Sequence, residues 1–252
     1  MRKIFIIGMG AGNPDYMTIQ AIDALNKVDV FFIPDKGAEK AALRQLRTEI
    51  CNRFIKDRAY RFIEVPVPKR AEDFSDYKAN VAEWHAAIEA NYARLLRENL
   101  GEDECAGFLV WGDPTLYDST LRIIERIHAQ AETLFDYEVI PGISAIQALA
   151  ARHRVPLNQI GESVHITTGR KLTAGASSDA GSVVVLLDGD QAFTKLPGDL
   201  QIYWGAYLGT DEEVLIAGRL SDVANDIAAI RAERRARNGW IMDSYLIRKP
   251  ET

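Results

Sequence analysis

The amino-terminal segment constrains the fold most strongly, because strand, turn and helix signals follow one another within very few residues. Residues 4–7 form an apolar run of strand length, and three glycines and an Asn-Pro-Asp turn lie between residues 8 and 15. Thr18 is a predicted helix cap, and residues 28–33 form a second β-branched and aromatic run. A strand, a helix and a second strand at this spacing form a βαβ unit, so the sheet is predicted to be parallel here.

The rest of the chain continues this pattern and then changes. Further strands are predicted at residues 62–67, 108–111, 137–140, 164–167, 183–187, 202–204, 214–216 and 241–247. Helices are predicted at residues 38–58, 77–100, about 119 onward, 145–152 and 223–235, and residues 173–179 form a predicted mobile loop. In the helix at 77–100, Trp84 and Tyr92 lie on one apolar stripe and are predicted to be core.

Helices alternate with strands in the first half and become sparse in the second. The prediction is therefore an α/β protein of two domains, residues 1–142 with a mainly parallel sheet and residues 143–252 with a mixed sheet. The length of 252 residues accommodates two modest domains, each with its own core.

Composition excludes several classes of function. The net charge of −6 argues against a nucleic-acid binder. Cys51 and Cys105 cannot form a disulfide framework, which favours a reducing, cytoplasmic location, and the four histidines show no metal-ligand spacing. We therefore expect no bound metal. No apolar run reaches the roughly 18 residues of a membrane-spanning helix, so we expect no membrane segment.

Three loops, at residues 8–14, 112–117 and 141–145, each follow a predicted strand of the first domain. Ligands of open parallel sheets bind beyond the carboxyl ends of the strands, and small residues let a ligand approach the backbone there. Asn13 stands where a dinucleotide fingerprint needs glycine, and no Gly-Lys-Ser/Thr P-loop is present. These residues predict a nucleotide-like cofactor without a strongly recognised phosphate, although each glycine can also serve only its own turn.

The same loops carry a family resemblance. The segments GMGAGNPDYMTIQAIDAL, VWGDPTLYDST and VIPGISAIQALA resemble, in this order, the tetrapyrrole methylases, which are class III S-adenosylmethionine-dependent methyltransferases. The resemblance implies two α/β domains with S-adenosylmethionine in the cleft between them, and a homodimer. Asn13 departs from the proline that other members usually carry in this loop.

Carried over by position, the resemblance implies a set of cofactor-binding residues. They are Trp111, Gly112, Asp113, Leu116, Ser144, Ala145, Leu187, Ala206, Tyr207 and Leu208. Asp113 is expected to bind a hydroxyl or amino group of the cofactor; the alternative is that it caps the turn at Pro114.

The resemblance also implies a reaction, namely methylation of carbon 1 of the tetrapyrrole precorrin-5 with loss of its acetyl group as acetate, within cobalamin biosynthesis. Asp35 is the candidate base for acetate release. Because the substrate carries several carboxylates, basic residues are expected around it, together with two loop glycines. The predicted substrate-binding residues are Gly10, Gly12, Lys36, Arg122, Arg170 and Lys171, with Arg152 as a further candidate.

Alternatives remain at this level. The chain can methylate another corrinoid carbon, or, as relatives do, a ribosomal RNA or protein residue, although its acidic charge argues against RNA. It can also be a non-catalytic module that senses S-adenosylmethionine. Direct transfer of the product to the next enzyme is a further possibility.

Overall fold

The computed structural model describes residues 1–35, 41–68, 77–130, 135–173 and 180–249. The chain divides into two compact units by its internal contacts. Unit 1 comprises residues 1–10 and 14–143, and unit 2 comprises residues 11–13 and 144–252. Residues 11–13 therefore belong to unit 2 although they lie between elements of unit 1 in the sequence.

Unit 1 is built on a parallel sheet. Its strands are β1 (Arg2–Gly8), β2 (Val30–Asp35), β3 (Arg61–Pro66), β4 (Cys105–Val110) and β5 (Phe135–Ile140). The spatial order is β3-β2-β4-β1-β5, and every pairing is parallel. The parallel sheet predicted from the first βαβ unit is confirmed.

Helices cover both faces of this sheet, as a fully buried parallel sheet requires. They are α1 (Ile19–Leu25), α2 (Ala41–Phe54), α3 (Tyr77–Asn99) and α4 (Thr120–Ala129). Thr18 caps α1, since its Oγ1 accepts a hydrogen bond from the Ala21 amide at 3.0 Å, as predicted. Buried residues of α3 and α4 form one apolar cluster with β1, β2 and β4, and those of α1 and α2 form a second cluster.

The apolar stripe of α3 is core, as its spacing predicted. Ile88 and Tyr92 are buried in the first cluster, and the Tyr92 ring packs against Phe108 with centroids 4.9 Å apart. Trp84 is only partly buried, and its indole N–H donates to the Pro68 carbonyl at 2.8 Å.

Unit 2 contains a mixed sheet with strands β6 (Val164–Thr168), β7 (Ser182–Leu186), β8 (Gln201–Ala206), β9 (Val214–Arg219) and β10 (Asp243–Arg248). The order is β6-β7-β10-β8-β9; only β6 and β7 pair in parallel. Its helices are α5 (Ala145–His153), α6 (Gly169–Thr173) and α7 (Leu220–Asn238). The mixed sheet predicted for the second half is confirmed.

The structure corrects several local predictions. The short helix α6 and two 3-10 helices, at Pro14–Tyr16 and Ala192–Lys195, were missed, because one turn of helix has no periodicity to detect. The last strand begins at Asp243 rather than at residue 241. Thr173, predicted to begin a mobile loop, ends α6, and residues 174–179 lie outside the described part of the chain. Among the described helices, none is long and apolar enough to cross a membrane.

Candidate functional site

The carboxyl ends of β1, β4 and β5 lie side by side, because these strands are neighbours in a parallel sheet. The loop after β1 and the loop after β4 then pair with each other: the Gly112 amide donates to the Gly10 carbonyl at 2.8 Å, and the Gly10 amide donates to the Gly112 carbonyl at 3.3 Å. The structure thus brings together Gly10 and Gly112, two of the predicted site residues.

Three strand ends meet backbone to backbone at this edge. A Cβ added to Gly142 would lie 2.2 Å from the Gly112 carbonyl oxygen and 2.8 Å from the Gly8 Cα. A Cβ added to Gly8 would lie 2.6 Å from the Gly142 nitrogen. No side chain fits at either position, so glycine is required here by the contact between strand ends. This reason differs from the predicted one, the approach of a ligand.

Asp113 ties two of these loops together. Its Oδ1 accepts hydrogen bonds from the Thr115 amide at 2.8 Å and from the Thr115 hydroxyl, and its Oδ2 accepts from the Gly142 amide at 2.9 Å. Burial opposes ionisation of this carboxyl, but the hydrogen bonds outweigh it and lower its pKa. Asp113 therefore caps its own turn, as the alternative interpretation held, and remains an ionised acceptor at this edge.

The neighbours of Asp113 differ in exposure. Trp111 follows the last residue of β4 rather than ending the strand, and it is partly buried against the second apolar cluster of unit 1. The Leu116 amide donates to the Asp113 carbonyl at 3.2 Å, which closes the turn. Tyr117 is exposed and has a positive φ of 52°, a conformation that is uncommon for a bulky residue.

Ser144 and Ala145 begin helix α5 in unit 2. Ser144 is buried, its Oγ accepts from the Ile146 amide at 3.1 Å, and its own amide donates to Gln147 Oε1 at 3.1 Å. This is a capping box, in which residues at the two ends of the first turn satisfy each other's backbone donors. The Ser144 hydroxyl also donates to Gln147, so its single O–H donor already serves the cap.

Ala206 ends β8, and Tyr207 and Leu208 form the turn that follows; all three are buried. The Tyr207 hydroxyl donates to the Trp240 carbonyl at 2.6 Å, and its backbone has a positive φ of 50°. Gly12, from the insert at residues 11–13, packs directly on this turn: an added Cβ would lie 2.3 Å from the Leu208 carbonyl oxygen. The structure thus brings Gly12 to Leu208, two predicted site residues far apart in sequence.

Leu187 is unusual for a leucine. It follows β7 instead of ending it, its φ is 52°, and it is 66% exposed. Next to it, Asp188 is buried, and its Oδ2 accepts from the Ala192 amide and from the Tyr245 hydroxyl, both at 2.7 Å. Non-glycine residues with a positive φ cluster at binding sites, so the backbone of Leu187 agrees with its predicted role.

Asp188 belongs to a buried charged group in unit 2. Arg231 donates to the Asp188 carbonyl at 2.5 Å and, through Nε, to Asp243 Oδ2 at 2.7 Å. Asp243 Oδ2 also accepts from the Trp204 indole at 2.8 Å. Burial raises the pKa of Asp243 in spite of Arg231, which acts in the opposite direction. The sequence contains no periodic signal for this group, because its members are far apart in the chain.

The described members of the predicted basic set lie on different helices. Arg170 and Lys171 lie exposed on α6, and Arg122 is exposed on the first turn of α4. Arg152 forms an ion pair with Glu213 at 2.6 Å. Lys36 lies outside the described residues. Asp35 ends β2, where its backbone pairs with Pro66, and its side chain also lies outside what the structure describes.

Sequence reasoning missed one further arginine, Arg47 on α2. Its guanidinium donates to the carbonyl of Leu109 in β4 at 3.1 Å and to the carbonyl of Leu43 at 3.0 Å. The helical pattern around residue 47 shows only that α2 has an apolar face, so no local signal distinguished this arginine from solvated ones. Across the described ranges, no group of three or more His, Cys, Asp or Glu side chains is arranged to hold a metal ion.

Comparison with known proteins identifies the family. The family model of Tetrapyrrole (Corrin/Porphyrin) Methylases matches residues 3–224. The chain belongs to this family. The resemblance read from the glycine-rich, GDP and PGIS motifs is therefore confirmed, as are the predicted enzyme class, a methyltransferase, and the predicted fold class.

Two individual proteins are similar to this tetrapyrrole methylase over nearly its whole length. A "Precorrin-6A synthase [deacetylating]" from a Sinorhizobium species is 51% identical over 250 residues, 99% of this chain and 96% of the relative. A crystal structure of a putative cobalamin synthesis related protein (CobF) from Corynebacterium diphtheriae matches with a TM-score of 0.85 at 37% identity and covers 100% of both chains.

A third match shows likeness of fold alone. The uroporphyrin-III C-methyl transferase from Thermus thermophilus, solved in complex with S-adenosyl homocysteine, has a TM-score of 0.59 and 14% identity. The match covers 97% of this chain and 91% of that chain.

Proposed function

We propose that this tetrapyrrole methylase catalyses the reaction of a deacetylating precorrin-6A synthase. A methyl group passes from S-adenosylmethionine to carbon 1 of precorrin-5, and the acetyl group on that carbon leaves as acetate. One observation carries the proposal: 51% identity to a relative of that name, over 99% of this chain and 96% of the relative.

The residues present fit a cofactor with hydroxyl and amino groups. Asp113 stays ionised because its pKa is lowered, and among the described residues its Oδ2 accepts one hydrogen bond, from the Gly142 amide. A carboxylate oxygen accepts more than one hydrogen bond, so Asp113 has capacity for a donor on the ligand. We assign the cofactor to the residues predicted from the motifs, with Asp113 as its polar anchor and Leu187 as an exposed apolar contact.

Methyl transfer places few demands on acid–base chemistry. When bound, the cofactor supplies an electrophilic methyl group on a sulfonium, whose leaving thioether is neutral. The contribution of this chain is to align the nucleophilic carbon with that methyl group and to exclude water, which is an effect of position. The rigid contact of strand ends at Gly8, Gly112 and Gly142 suits that task, because it keeps the loops that follow β1, β4 and β5 in register.

Release of acetate needs a base. Water adds to the acyl carbonyl as its proton passes to the base; the bond from that carbonyl to carbon 1 then breaks, and the electron pair stays on carbon 1 as the methyl acceptor. We assign the base to Asp35, whose backbone ends β2 at the carboxyl edge of the sheet. Asp35→Asn is expected to slow acetate release at least about 100-fold. Asp23→Asn, on the exposed face of α1, is the matched control and should retain full turnover.

The decisive experiment is incubation with precorrin-5 and methyl-labelled S-adenosylmethionine. We expect one labelled product and one acetate for each S-adenosylhomocysteine formed. Methylation without acetate would indicate another corrinoid methylation, and cofactor binding without turnover would indicate a non-catalytic sensor; either result would overturn the proposal.

Cofactor binding is tested separately by calorimetry with S-adenosylhomocysteine. Asp113→Asn removes the charge and retains most of the shape of the side chain, and we expect about a tenfold loss of affinity. Asp23→Asn again serves as the control. An unchanged affinity in Asp113→Asn would remove Asp113 from the site.

We further propose that the protein is a cytoplasmic homodimer that binds neither nucleic acid nor membrane and passes its product to a neighbouring enzyme of cobalamin biosynthesis. The oligomeric state is measured by size-exclusion chromatography with light scattering, and a monomer at micromolar concentration would contradict it.

A further inference from the structure

Strands β2 and β4 separate toward their carboxyl ends. They pair only at Val30 with Ala106 and at Phe31 with Gly107, whereas β1 and β4 pair over six residues each, up to Gly8 with Val110. Beyond Gly107, β4 therefore has no pairing with β2 on that side. The result is a fork in the sheet of unit 1 that opens at the carboxyl edge, where Asp35 ends one strand and Gly112 follows the other.

Arg47 occupies this fork. Its Nε donates to the carbonyl of Leu109, a backbone acceptor that the separation of β2 leaves without a strand partner on this side. Helix α2 packs with the second apolar cluster through Ile50 and Cys51. Yet the guanidinium also interacts electrostatically with Tyr92 of α3, which belongs to the first apolar cluster, and with Asp118, which precedes α4. The side chain thus reaches into the opening between the strands.

Within the described residues, the guanidinium of Arg47 forms no ion pair with a carboxylate, and Asp118 acts on it only at longer range. Nearby arginines of unit 1 each pair with a carboxylate: Arg44 with Glu64, Arg53 with Asp15, Arg58 with Asp29 and Arg61 with Glu104. Arg47 instead donates two of its five N–H groups to backbone carbonyls. Burial lowers its pKa, which shows that the charge is partly desolvated, and Asp118 only partly offsets this.

We propose that Arg47 binds a carboxylate group of the substrate in the fork between β2 and β4. The free N–H groups of a guanidinium match the two oxygens of a carboxylate, and pairing offsets the cost of keeping the cation partly buried. The ligand class, a tetrapyrrole with carboxylate side chains, rests on the proposed function. The position follows from the structure of unit 1 alone, because Leu109 lies three residues before Gly112.

The test uses uroporphyrin, a stable octacarboxylate porphyrin, titrated into the full chain and followed by fluorescence. Arg47→Gln is expected to raise the dissociation constant at least about tenfold. Arg44→Gln, one turn away on α2 and paired with Glu64 at the surface, is the matched control and should stay within about twofold. Affinity for S-adenosylhomocysteine, measured by calorimetry, is expected to remain at the wild-type value in both variants.

Arg47→Lys guards against a folding defect. Lysine keeps the charge but not the paired N–H groups, so we expect a rise of about threefold with a wild-type melting temperature. The inference would be overturned if Arg47→Gln bound uroporphyrin with wild-type affinity. If Arg47→Gln does not fold, wild-type affinity in Arg47→Lys would overturn it instead. Failure of the wild-type protein to bind uroporphyrin would overturn it as well. Failure of the proposed function has another signature, the loss of S-adenosylhomocysteine binding or of methyl transfer by the wild-type protein.

Discussion

Each of the two units contains an arginine paired with a carboxylate. The two pairs differ in their exposure to solvent, and the pKa of the carboxyl group is shifted in opposite directions in them. In unit 1, both terminal nitrogens of Arg61 bond Glu104 at 2.7 Å, and the side chains are 47% and 32% exposed. In unit 2, Arg231 bonds Asp243 at 2.7 Å, and the side chains are 6% and 5% exposed. The chemistry is the same, but the surroundings differ.

The pKa shifts record the difference. The hydrogen bonds from Arg61 lower the pKa of Glu104 to about 2. Burial raises the pKa of Asp243, because the free-energy cost of removing the carboxylate from water exceeds the stabilisation that Arg231 provides. An exposed pair thus stabilises its ions modestly, whereas a buried pair chiefly creates a mutual dependence: neither partner can be lost without leaving a buried charge alone.

The largest expected effect comes from breaking the buried pair. Arg231→Met leaves Asp243 without its counter-ion and the Asp188 carbonyl without its donor, and we expect a loss of about 3–5 kcal/mol in the free energy of unfolding. Urea denaturation measures it. The double variant Arg231→Met/Asp243→Leu should recover part of this loss, and a single-variant loss below about 1 kcal/mol would refute the mutual dependence.

A smaller loss of stability is expected from a substitution at the strand ends of unit 1, where glycine permits close contact of the backbones. Gly142→Ala would place a Cβ 2.2 Å from the Gly112 carbonyl oxygen, so the backbone must shift. We expect a loss of about 2–3 kcal/mol, measured by thermal and urea unfolding. Gly189→Ala is the control, since nothing lies within 4 Å of its added Cβ. Equal stability of the two variants would show that the strand ends do not need their close contact.

The smallest effect concerns the exposed pair and its pH dependence. The folded pKa of Glu104, about 2, lies below its ordinary value of 4.5, so its stabilisation is complete above about pH 5 and is lost as the pH falls toward 2. Because the pair is exposed, we expect wild type to exceed Glu104→Gln by only about 1 kcal/mol at pH 7, and by less at pH 3. Unfolding by urea at both pH values measures the difference.

Asp243 gives the opposite sign. Its raised folded pKa means that the ionised form costs stability, so wild type should gain relative to Asp243→Asn as the pH falls. Urea unfolding of Asp243→Asn and Glu104→Gln over the same pH range measures both effects. If the stability of wild type relative to each variant changes in the same direction as the pH falls, the exposed and the buried pair do not differ as we infer.

Local patterns predicted much of this molecule. The Thr18 cap and the buried stripe at Ile88 and Tyr92 were predicted because each depends on residues within a few turns of one another. The short helix α6, whose first residue packs on Asp188, was not predicted: a Cβ on Gly169 would lie 2.2 Å from Asp188 Oδ1, a contact between two strand ends. Likewise, nothing near residue 47 in the sequence indicates that β2 and β4 separate there.

By itself, the sequence determined the order of strands and helices, the parallel and mixed character of the two sheets, and the motifs that mark the family, because periodicity, turn residues and short motifs are properties of neighbours in the chain. Only the tertiary structure decided that Gly142 meets Gly8 and Gly112, that Arg231 serves both Asp188 and Asp243, and that Arg47 stands in a fork of the sheet. Each of these depends on which distant backbones come within a few ångströms and on how much water remains between them. Desolvation and steric exclusion act between residues that are close in space. A pattern of residues that are close in sequence therefore does not predict them.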